Sequence, residues 1–299
     1  MTPPPMLTTP FSVHPGHADT GLLGRIAALA APVMDPLLGL TTLDRLYAEL
    51  PDGNFIDGAL ERLGVTVTVS DEQVRRVPAS GPVVVVANHP TGALDGLALA
   101  HALFRRRSDV RLLGNHLLSR VPEMRDWTIA VNPFDPRSIE NRRGLRQARD
   151  WLVRGGVLVV FPAGEVSNVA REDGVLVDRD WQQGVLGLVK WSSAAVVPAY
   201  IDARSSRWFR LAGLIHPRLR TALLPRELLR LRDATISVRC DHPMTAAQLE
   251  ALPGIGPVTV QKIVAARAER PFASLEDAVE RGVMNRGQLE DIQGLATAG

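Results

Sequence analysis

The sequence predicts an α/β fold, in which helices flank a sheet, followed by a small all-helical module. Valine-rich apolar runs occur at residues 83–87 and 157–161, and each is typical of a strand that is buried on both faces. A third apolar run follows at 195–201, and segments of helical periodicity separate the three, as is typical of α/β proteins. From Pro243 the pattern changes to short helical segments joined around a Gly-x-Gly element. The 299 residues, of which 45% are hydrophobic, suffice for one large core and a small satellite domain.

The amino-terminal part predicts a tail and short helices. Residues 1–19 are rich in proline and lack a basic-then-apolar signal pattern, so we expect a flexible tail. Two prolines and two charged residues interrupt the apolar stretch 22–40, which is too broken to span a bilayer. One or two short amphipathic helices are expected there, and they either cover the core or rest on a membrane surface.

The remaining elements follow from periodicity and from glycine and proline punctuation, in chain order. Helices are expected at 44–50, 55–63, 93–104, 139–154, 181–191 and 223–231, and further strands at 65–69, 110–113, 128–131 and 235–239. Residues 115–127 are expected to form a helix or loop over the strand ends.

Composition limits the classes of function. The formal net charge is only +2, and Lys190 and Lys262 are the only lysines, a bias that we interpret as genome composition. The single cysteine, Cys240, excludes an internal disulfide framework and fits a reducing compartment. The seven histidines are scattered without ligand spacing, so no metal site is expected.

Two basic segments leave alternatives open. Residues 104–107 close a helix with three arginines, which is either a solvated helix end or a basic patch for acidic headgroups or an acidic acyl-carrier protein. The helix at 139–154 carries five arginines in sixteen positions, so that one of its faces is strongly basic.

The polar cluster at 88–96 directly follows the first valine strand and is the candidate site. Open α/β sheets bind ligands beyond the carboxyl ends of their strands. On a continuous helix His89 and Asp95 would lie about 120° apart, so a regular helix cannot bring them together. Pro90 and Gly92 predict a turn instead, which lets Asp95 reach back to one imidazole nitrogen from the first turn of the next helix. The two residues are then either a general base with its partner carboxylate, or residues that only stabilise the turn and cap the following helix.

A second polar turn, residues 162–167, ends the strand at 157–161 and should lie at the same edge of the sheet. With the third strand end in view, four segments match known patterns: 88–96 fits Asn-His-Pro-x-Gly-x-Leu-Asp-Gly, 161–167 fits Phe-Pro-x-Gly-Glu-x-Ser, 197–200 fits Val-Pro-x-Tyr, and 226–228 is Arg-Glu-Leu. On these motifs the sequence resembles the glycerolipid acyltransferases typified by 1-acylglycerol-3-phosphate acyltransferases. It resembles in particular the hemolysin-labelled bacterial branch that includes ornithine-lipid O-acyltransferases. The match covers roughly residues 20 to 242.

The resemblance implies a mixed, mostly parallel sheet of the glycerol-3-phosphate acyltransferase type and a His/Asp catalytic dyad. His89 would deprotonate an acceptor hydroxyl, which attacks the thioester of an acyl-carrier protein or coenzyme A, and Asp95 would orient and stabilise the imidazole. No permanently bound cofactor is implied, because the thioester is a co-substrate. Backbone amides of the turn at 162–165 are expected at the acceptor or oxyanion site. The substrate-binding residues implied by the resemblance are Asn88, Thr91, Gly92, Phe161, Pro162, Gly164, Glu165 and Ser167.

Departures from the main family bear on the acceptor. The family carries Glu where this chain has Ala163 and Arg where it has Val166, and both are associated with a phosphate-bearing acceptor. Their absence argues against a phosphate site of the usual type. Glu165 would instead meet a positively charged acceptor, such as the amine of a lyso-ornithine lipid.

Residues 243–299 resemble tandem helix-hairpin-helix repeats of the competence-protein type, with 252–257 as the hairpin. In that family the hairpin amides bind DNA phosphates. Seven acidic residues against five basic ones make phosphate binding unfavourable here, so a structural or protein-docking role is favoured over nucleic-acid binding.

We therefore expect three parts: a tail at 1–19, an acyltransferase domain at 20–242 and a helix-hairpin-helix domain at 243–299. The expected function is acyl transfer to a lyso-ornithine lipid or lysophospholipid by a cytoplasmic enzyme that is peripheral on the inner face of the cell membrane. The alternative is a DNA-binding or scaffold protein that acts through the helical module and has an inactive acyltransferase-like domain. A hydrolase that uses Ser167 with His89 is excluded, because no Gly-x-Ser-x-Gly elbow occurs.

Overall fold

A computed structural model describes residues 10–11, 38–51, 53–132, 135, 138–164, 166, 169–170, 176–177, 183–245 and 275–281. The predicted tail, the helices expected within 22–40 and the helix-hairpin-helix domain lie almost wholly outside the described residues, as do Glu165 and Ser167. Within the carboxyl-terminal part, the structure describes one short helix, Leu275–Glu280.

A seven-stranded, mostly parallel sheet forms the centre of the described chain. Its strands are β1 (Thr66–Thr68), β2 (Val83–Ala87), β3 (Val110–Asn115), β4 (Thr128–Val131), β5 (Val157–Val160), β8 (Ala195–Asp202) and β9 (Thr235–Cys240). They lie side by side in the order β1-β9-β8-β2-β5-β3-β4, and every neighbouring pair is parallel except β8 and β9. The mixed sheet predicted from the sequence is thereby confirmed. Outside this sheet, β6 (Val169–Ala170) and β7 (Leu176–Val177) form an antiparallel pair.

Helices cover both faces of this sheet. They are α1 (Leu40–Ala48), α2 (Phe55–Arg62), α3 (Asp71–Arg75), α4 (Ala93–Phe104), α5 (Ile139–Val153), α6 (Gln183–Ser192), α7 (Arg207–Ile215), α8 (Pro217–Arg230) and α9 (Leu275–Glu280). Two short 3₁₀ helices, His116–Arg120 and Pro122–Met124, occupy the segment that the sequence left as helix or loop. Of the described helices, none combines the length and apolar character needed to cross a membrane.

The central strand β2 is buried on both faces, as its run of valines predicts. Val83 and Val85 pack into a core cluster that includes α4, whereas Val84 and Val86 pack into a second cluster with α5 and α6. Alternate side chains of a strand point to opposite faces, so four consecutive apolar residues are needed to serve both clusters. The strand thereby fixes the position of the turn that follows it.

Two described helices, α3 and α7, were not predicted from the sequence, and the start of α8 was misplaced. Residues 207–215 form α7, whose amino terminus is capped by the Ser206 side chain, and α8 begins at Pro217 rather than near residue 223. Pro217 and the extended backbone of His216 separate the two helices. The cap and the spacing of Trp208, Leu211 and Ile215 are the sequence signals that would have predicted α7.

Of the three arginines that close α4, Arg105 and Arg106 are exposed, as at a solvated helix end, whereas Arg107 is buried. The Arg107 guanidinium is buried, donates to both oxygens of Asp109 at 2.7 Å, and donates to the carbonyls of Pro78, Gly81 and Gly155 at 2.6–3.2 Å. The Asp109 carboxylate raises the pKa of Arg107, chiefly through these hydrogen bonds, and the pKa of Asp109 is lowered in return. Since α4 is about 18 Å long, this end is far from the predicted site.

Replacing Arg107 by methionine is expected to lower the free energy of unfolding by about 2–4 kcal/mol, because three carbonyl oxygens lose a charged donor. Urea denaturation followed by circular dichroism measures this. The matched control is Arg105→Met: Arg105 pairs with Asp71 on the exposed end of the same helix, and its loss should cost less than about 1 kcal/mol. Equal losses in the two variants would contradict the structural role given to Arg107.

Candidate active site

His89 and Asp95 are brought together at the carboxyl end of β2. The imidazole Nδ1 lies 2.9 Å from Asp95 Oδ2, which confirms the contact expected from the turn. The Asp95 side chain is completely buried, whereas that of His89 is 18% exposed. A carboxylate only accepts hydrogen bonds, so the neutral imidazole carries its proton on Nδ1 and leaves the lone pair of Nε2 available.

Three further donors hold the Asp95 carboxylate in place. The backbone amides of Thr91 and Gly92 each donate to Oδ2 at 2.8 Å, and the Thr91 hydroxyl donates to Oδ1. Asp95 is the third residue of α4, so it also caps the helix start by satisfying the amide of Gly92. The carboxylate is therefore held rigidly where the imidazole meets it.

Gly92 makes the turn possible. Its φ of 93° and ψ of −121° lie in a region essentially reserved for glycine. A Cβ at this position would also stand 2.3 Å from Cδ2 of Leu224 on α8. The turn between His89 and Asp95 thus depends on a backbone conformation that other residues avoid.

Phe161 orients the imidazole from the neighbouring strand end. Its ring stacks on that of His89 with the centroids 3.9 Å apart and the planes inclined by 14°. Strands β2 and β5 are parallel neighbours with Val86 opposite Val160, so both polar turns lie at the same edge of the sheet, as predicted. The stacked ring and the buried carboxylate together limit the rotation of His89.

An apolar cavity of about 260 Å³ lies beside the start of α4. Its walls come from α1, α2, α4, α8 and the 3₁₀ segment, and they include Ala93, Leu97, Leu118 and Leu224. His89 is not part of the wall. Leu224 nevertheless contacts both regions, because it lines the cavity and approaches the backbone of Gly92. The dyad and the cavity thus share one structural boundary.

The sequence matches a protein family and several known proteins. The family described as Acyltransferase matches residues 39–256. The chain belongs to the acyltransferase family. A lyso-glycine lipid O-acyltransferase of Bacteroides thetaiotaomicron is 27% identical over 164 residues, which are 52% of this chain and 55% of that protein, so the match spans little more than half of the relative.

A second lyso-glycine lipid O-acyltransferase, from Phocaeicola vulgatus, is 25% identical to this acyltransferase-family chain over 198 residues, or 64% of the chain and 68% of the relative. Among solved structures, the 1-acyl-sn-glycerophosphate acyltransferase of Thermotoga maritima aligns over 86% of this chain and 91% of its own, with 16% identity and a TM-score of 0.40.

The other site residues predicted for this acyltransferase-family protein take different positions. The Asn88 side chain bridges to β8, since it donates to the Ile201 carbonyl at 3.0 Å and accepts from the Ile201 amide at 2.7 Å. Its contacts tie two strand ends together at the site. Glu165 and Ser167 lie outside the described residues, so their predicted roles stay predictions.

The turn after β5 offers fewer backbone donors than the sequence suggested. Pro162 has no amide hydrogen, and the amide of Gly164 donates to the carbonyl of Phe161 at 2.9 Å. Among the described residues of 162–165, the amide of Ala163 therefore stays a candidate oxyanion donor. The Ala163 and Val166 side chains are both buried, at the positions where the main family has charged residues.

Sequence reasoning did not find two contributors to the site: the stacking of Phe161 on His89 and the wall formed by Leu224. Each depends on a residue distant in the chain. Within the part of the chain that the structure describes, no cluster of three or more histidine, cysteine or acidic residues is arranged to hold a metal ion.

Proposed function

We propose that this protein transfers a fatty acyl group from an acyl-carrier protein or coenzyme A thioester to the hydroxyl of a lysolipid. The observation that carries the proposal is the hydrogen bond between His89 and the buried Asp95, which leaves Nε2 of a partly exposed imidazole free to accept a proton. Membership of the acyltransferase family supports the reaction class.

In the proposed mechanism, Nε2 of His89 removes the proton of the acceptor hydroxyl as its oxygen attacks the thioester carbonyl. The tetrahedral intermediate then expels the thiolate, which takes the proton from the imidazolium, so that the products are an ester and a free thiol. Asp95 stabilises the transient imidazolium charge, and Phe161 keeps the ring in plane. Such general-base assistance contributes about 10²–10⁴ in rate.

The apolar cavity is the proposed site for a fatty chain. It begins at Ala93 and Leu97, directly after the turn that carries the dyad. Apolar walls favour an alkyl chain by about 0.8 kcal/mol for each buried methylene group. A chain seated there would leave its polar end at the sheet edge, near His89.

A lyso-amino-acid lipid is the proposed acceptor class. The relatives from Bacteroides thetaiotaomicron and Phocaeicola vulgatus are both described as lyso-glycine lipid O-acyltransferases, and a lyso-ornithine lipid belongs to the same chemical class. Ala163 and Val166 are apolar and buried, so these two positions supply no cation for a phosphate. A lysophospholipid is the weaker candidate for this reason.

One assay tests the acceptor class. Purified protein with a single acyl thioester donor is offered lyso-ornithine lipid, lyso-glycine lipid and lysophosphatidic acid separately, and ester formation is followed by mass spectrometry. We expect kcat/KM for an amino-acid lipid to exceed that for lysophosphatidic acid by about 10–100-fold, the value of one charged hydrogen bond that a phosphate would lack. His89→Ala protein provides the background rate.

A preference for lysophosphatidic acid would contradict the proposed acceptor class, and no transfer to any of the three would contradict the proposed function. Repeating the best reaction with acyl-carrier protein and coenzyme A thioesters of the same fatty acid identifies the donor.

A further inference from the structure

Helix α7 exposes an apolar ridge to solvent. Trp208 is 78% exposed, Ile215 69% and Leu211 46%, and at about 100° per residue these three fall within about 60° of one another. Phe209, on the other side of the helix, is buried. Leu219 near the start of α8 is also exposed, and we call the four residues Trp208, Leu211, Ile215 and Leu219 the α7 ridge.

The α7 ridge lies in a strongly basic segment of the chain. Residues 203–226 contain six arginines, of which Arg220 is buried, and no acidic residue, although the exposed Asp202 directly precedes them. Arg204 and Arg207 are exposed near the amino terminus of α7. At the far end of the segment, Glu227 is buried and bonded to Ser206 and Arg230, so its charge is already neutralised. The surface around the ridge therefore favours an anionic partner.

The ridge is also held firmly in place. The Glu227 carboxylate accepts from the Ser206 amide at 2.6 Å and from its hydroxyl at 2.8 Å, which fastens the start of α7 to α8. Ser206 in turn caps α7 through the amide of Phe209. The hydrogen bonds of Ser206 and Glu227 thus hold the apolar face of α7 in an exposed position. Packing of the core does not require this exposure, and exposed apolar patches often mark interaction sites.

We propose that the α7 ridge docks on an anionic lipid surface. A tryptophan and aliphatic side chains on one face, flanked by arginines, are the combination with which interfacial helices enter the headgroup region. Arginines near such a face attract anionic headgroups. A second copy of the chain fits less well, because a symmetric contact would place these arginines opposite each other.

The position of the ridge connects docking with the site. The α7 helix begins shortly after Ile201, whose backbone is bonded to Asn88 next to His89. Soon after Leu219, Thr221 and Leu224 of α8 line the apolar cavity. Docking through the ridge would hold the cavity and the dyad near the lipid from which an acceptor comes. This consequence rests on the proposed function, whereas the docking itself does not.

Co-sedimentation of the full chain with lipid vesicles tests the proposal. Vesicles of phosphatidylcholine alone are compared with vesicles that contain equal amounts of phosphatidylcholine and phosphatidylglycerol, at low and high salt. Trp208→Ser with Ile215→Ser is expected to lower the partition coefficient on anionic vesicles by at least ~10-fold. Arg207→Gln is expected to lower it by about fivefold at low salt and less at high salt.

The matched control is Ile139→Ser with Val153→Ser, which removes two equally exposed apolar side chains from α5. This control is expected to bind vesicles as the unaltered protein does. The inactive His89→Ala protein should also bind normally, so failure of docking and failure of acyl transfer are measured separately. Thermal denaturation of each variant verifies that it is folded.

Three outcomes would overturn the proposal: unchanged vesicle binding by the ridge variant, an equal loss in the α5 control, or binding that is indifferent to phosphatidylglycerol and salt. Light scattering on the same samples adds a fourth. If the unaltered protein is a dimer and the ridge variant a monomer, a second copy covers the ridge instead of lipid.

Discussion

Replacing His89 by alanine is expected to lower kcat for acyl transfer by about 10²–10⁴ while the protein stays folded. In the proposed mechanism Nε2 of this imidazole is the group that takes the hydroxyl proton, and water replaces it poorly as a base. The side chain is partly exposed, and its deletion removes one hydrogen bond and one stacking contact. Initial rates at saturating donor and acceptor measure the loss, and thermal denaturation monitors the fold.

The chain offers a matched control for this experiment. His101 lies on the same helix as Asp95, and its Nδ1 is 2.7 Å from Asp57 Oδ1, so it forms a second histidine and carboxylate pair. This pair is at the surface, near the other end of α4. His101→Ala should leave kcat within about twofold of the unaltered value, as expected for a surface pair. Equal losses in the two variants, or near-full activity of His89→Ala, would contradict the role given to His89.

The sheet and the first turn were predictable because local chemistry determines them. Four valines in succession serve both faces of a parallel sheet, and Pro90 and Gly92 exclude a continuous helix between His89 and Asp95. A carboxylate three residues after the glycine then has a local reason to fold back on the turn. The contact between His89 and Asp95 could be inferred from these facts alone.

Other parts of the fold depend on residues far apart in the chain. Arg107 looked like a cation at a solvated helix end, but carbonyls from the 78–81 loop and from Gly155 enclose it. Likewise, the register of β2 against β5 places Phe161 on His89, and nothing within either segment specifies a stacked geometry. Sequence patterns predict elements and turns well, whereas they do not predict which loops converge on a side chain.

Helix α7 shows a different reason for a missed element. It has only nine residues, follows the loop 203–206, and is separated from α8 by a single histidine in extended conformation. A short helix with a large exposed apolar face has weak local support, since most helical stability comes from packing an amphipathic face. The hydrogen bonds from Ser206 to Glu227, 21 residues away, add stability to that of the cap and the apolar spacing.

Asp95→Asn is expected to separate two roles that the sequence left open, helix capping and catalysis. The amide oxygen can take the place of Oδ2 and accept from Thr91, Gly92 and His89, while the amide nitrogen replaces Oδ1 and donates to the Thr91 hydroxyl, which then accepts. The hydrogen bonds are therefore retained without the negative charge, and the free energy of unfolding should fall by only about 1 kcal/mol.

Catalysis should respond much more strongly than stability. A neutral amide does not stabilise the imidazolium that forms when His89 takes a proton, so kcat is expected to fall by about 10²–10⁴. Asp95→Ala is the comparison variant: it leaves the Thr91 and Gly92 amides unpaired and should lose about 2–4 kcal/mol of stability as well as activity. A folded asparagine variant with nearly full activity would reduce Asp95 to a helix cap. If Asp95→Asn is as inactive as Asp95→Ala but clearly more stable, the loss of activity is due to the missing negative charge, because the hydrogen bonds around the imidazole are then intact.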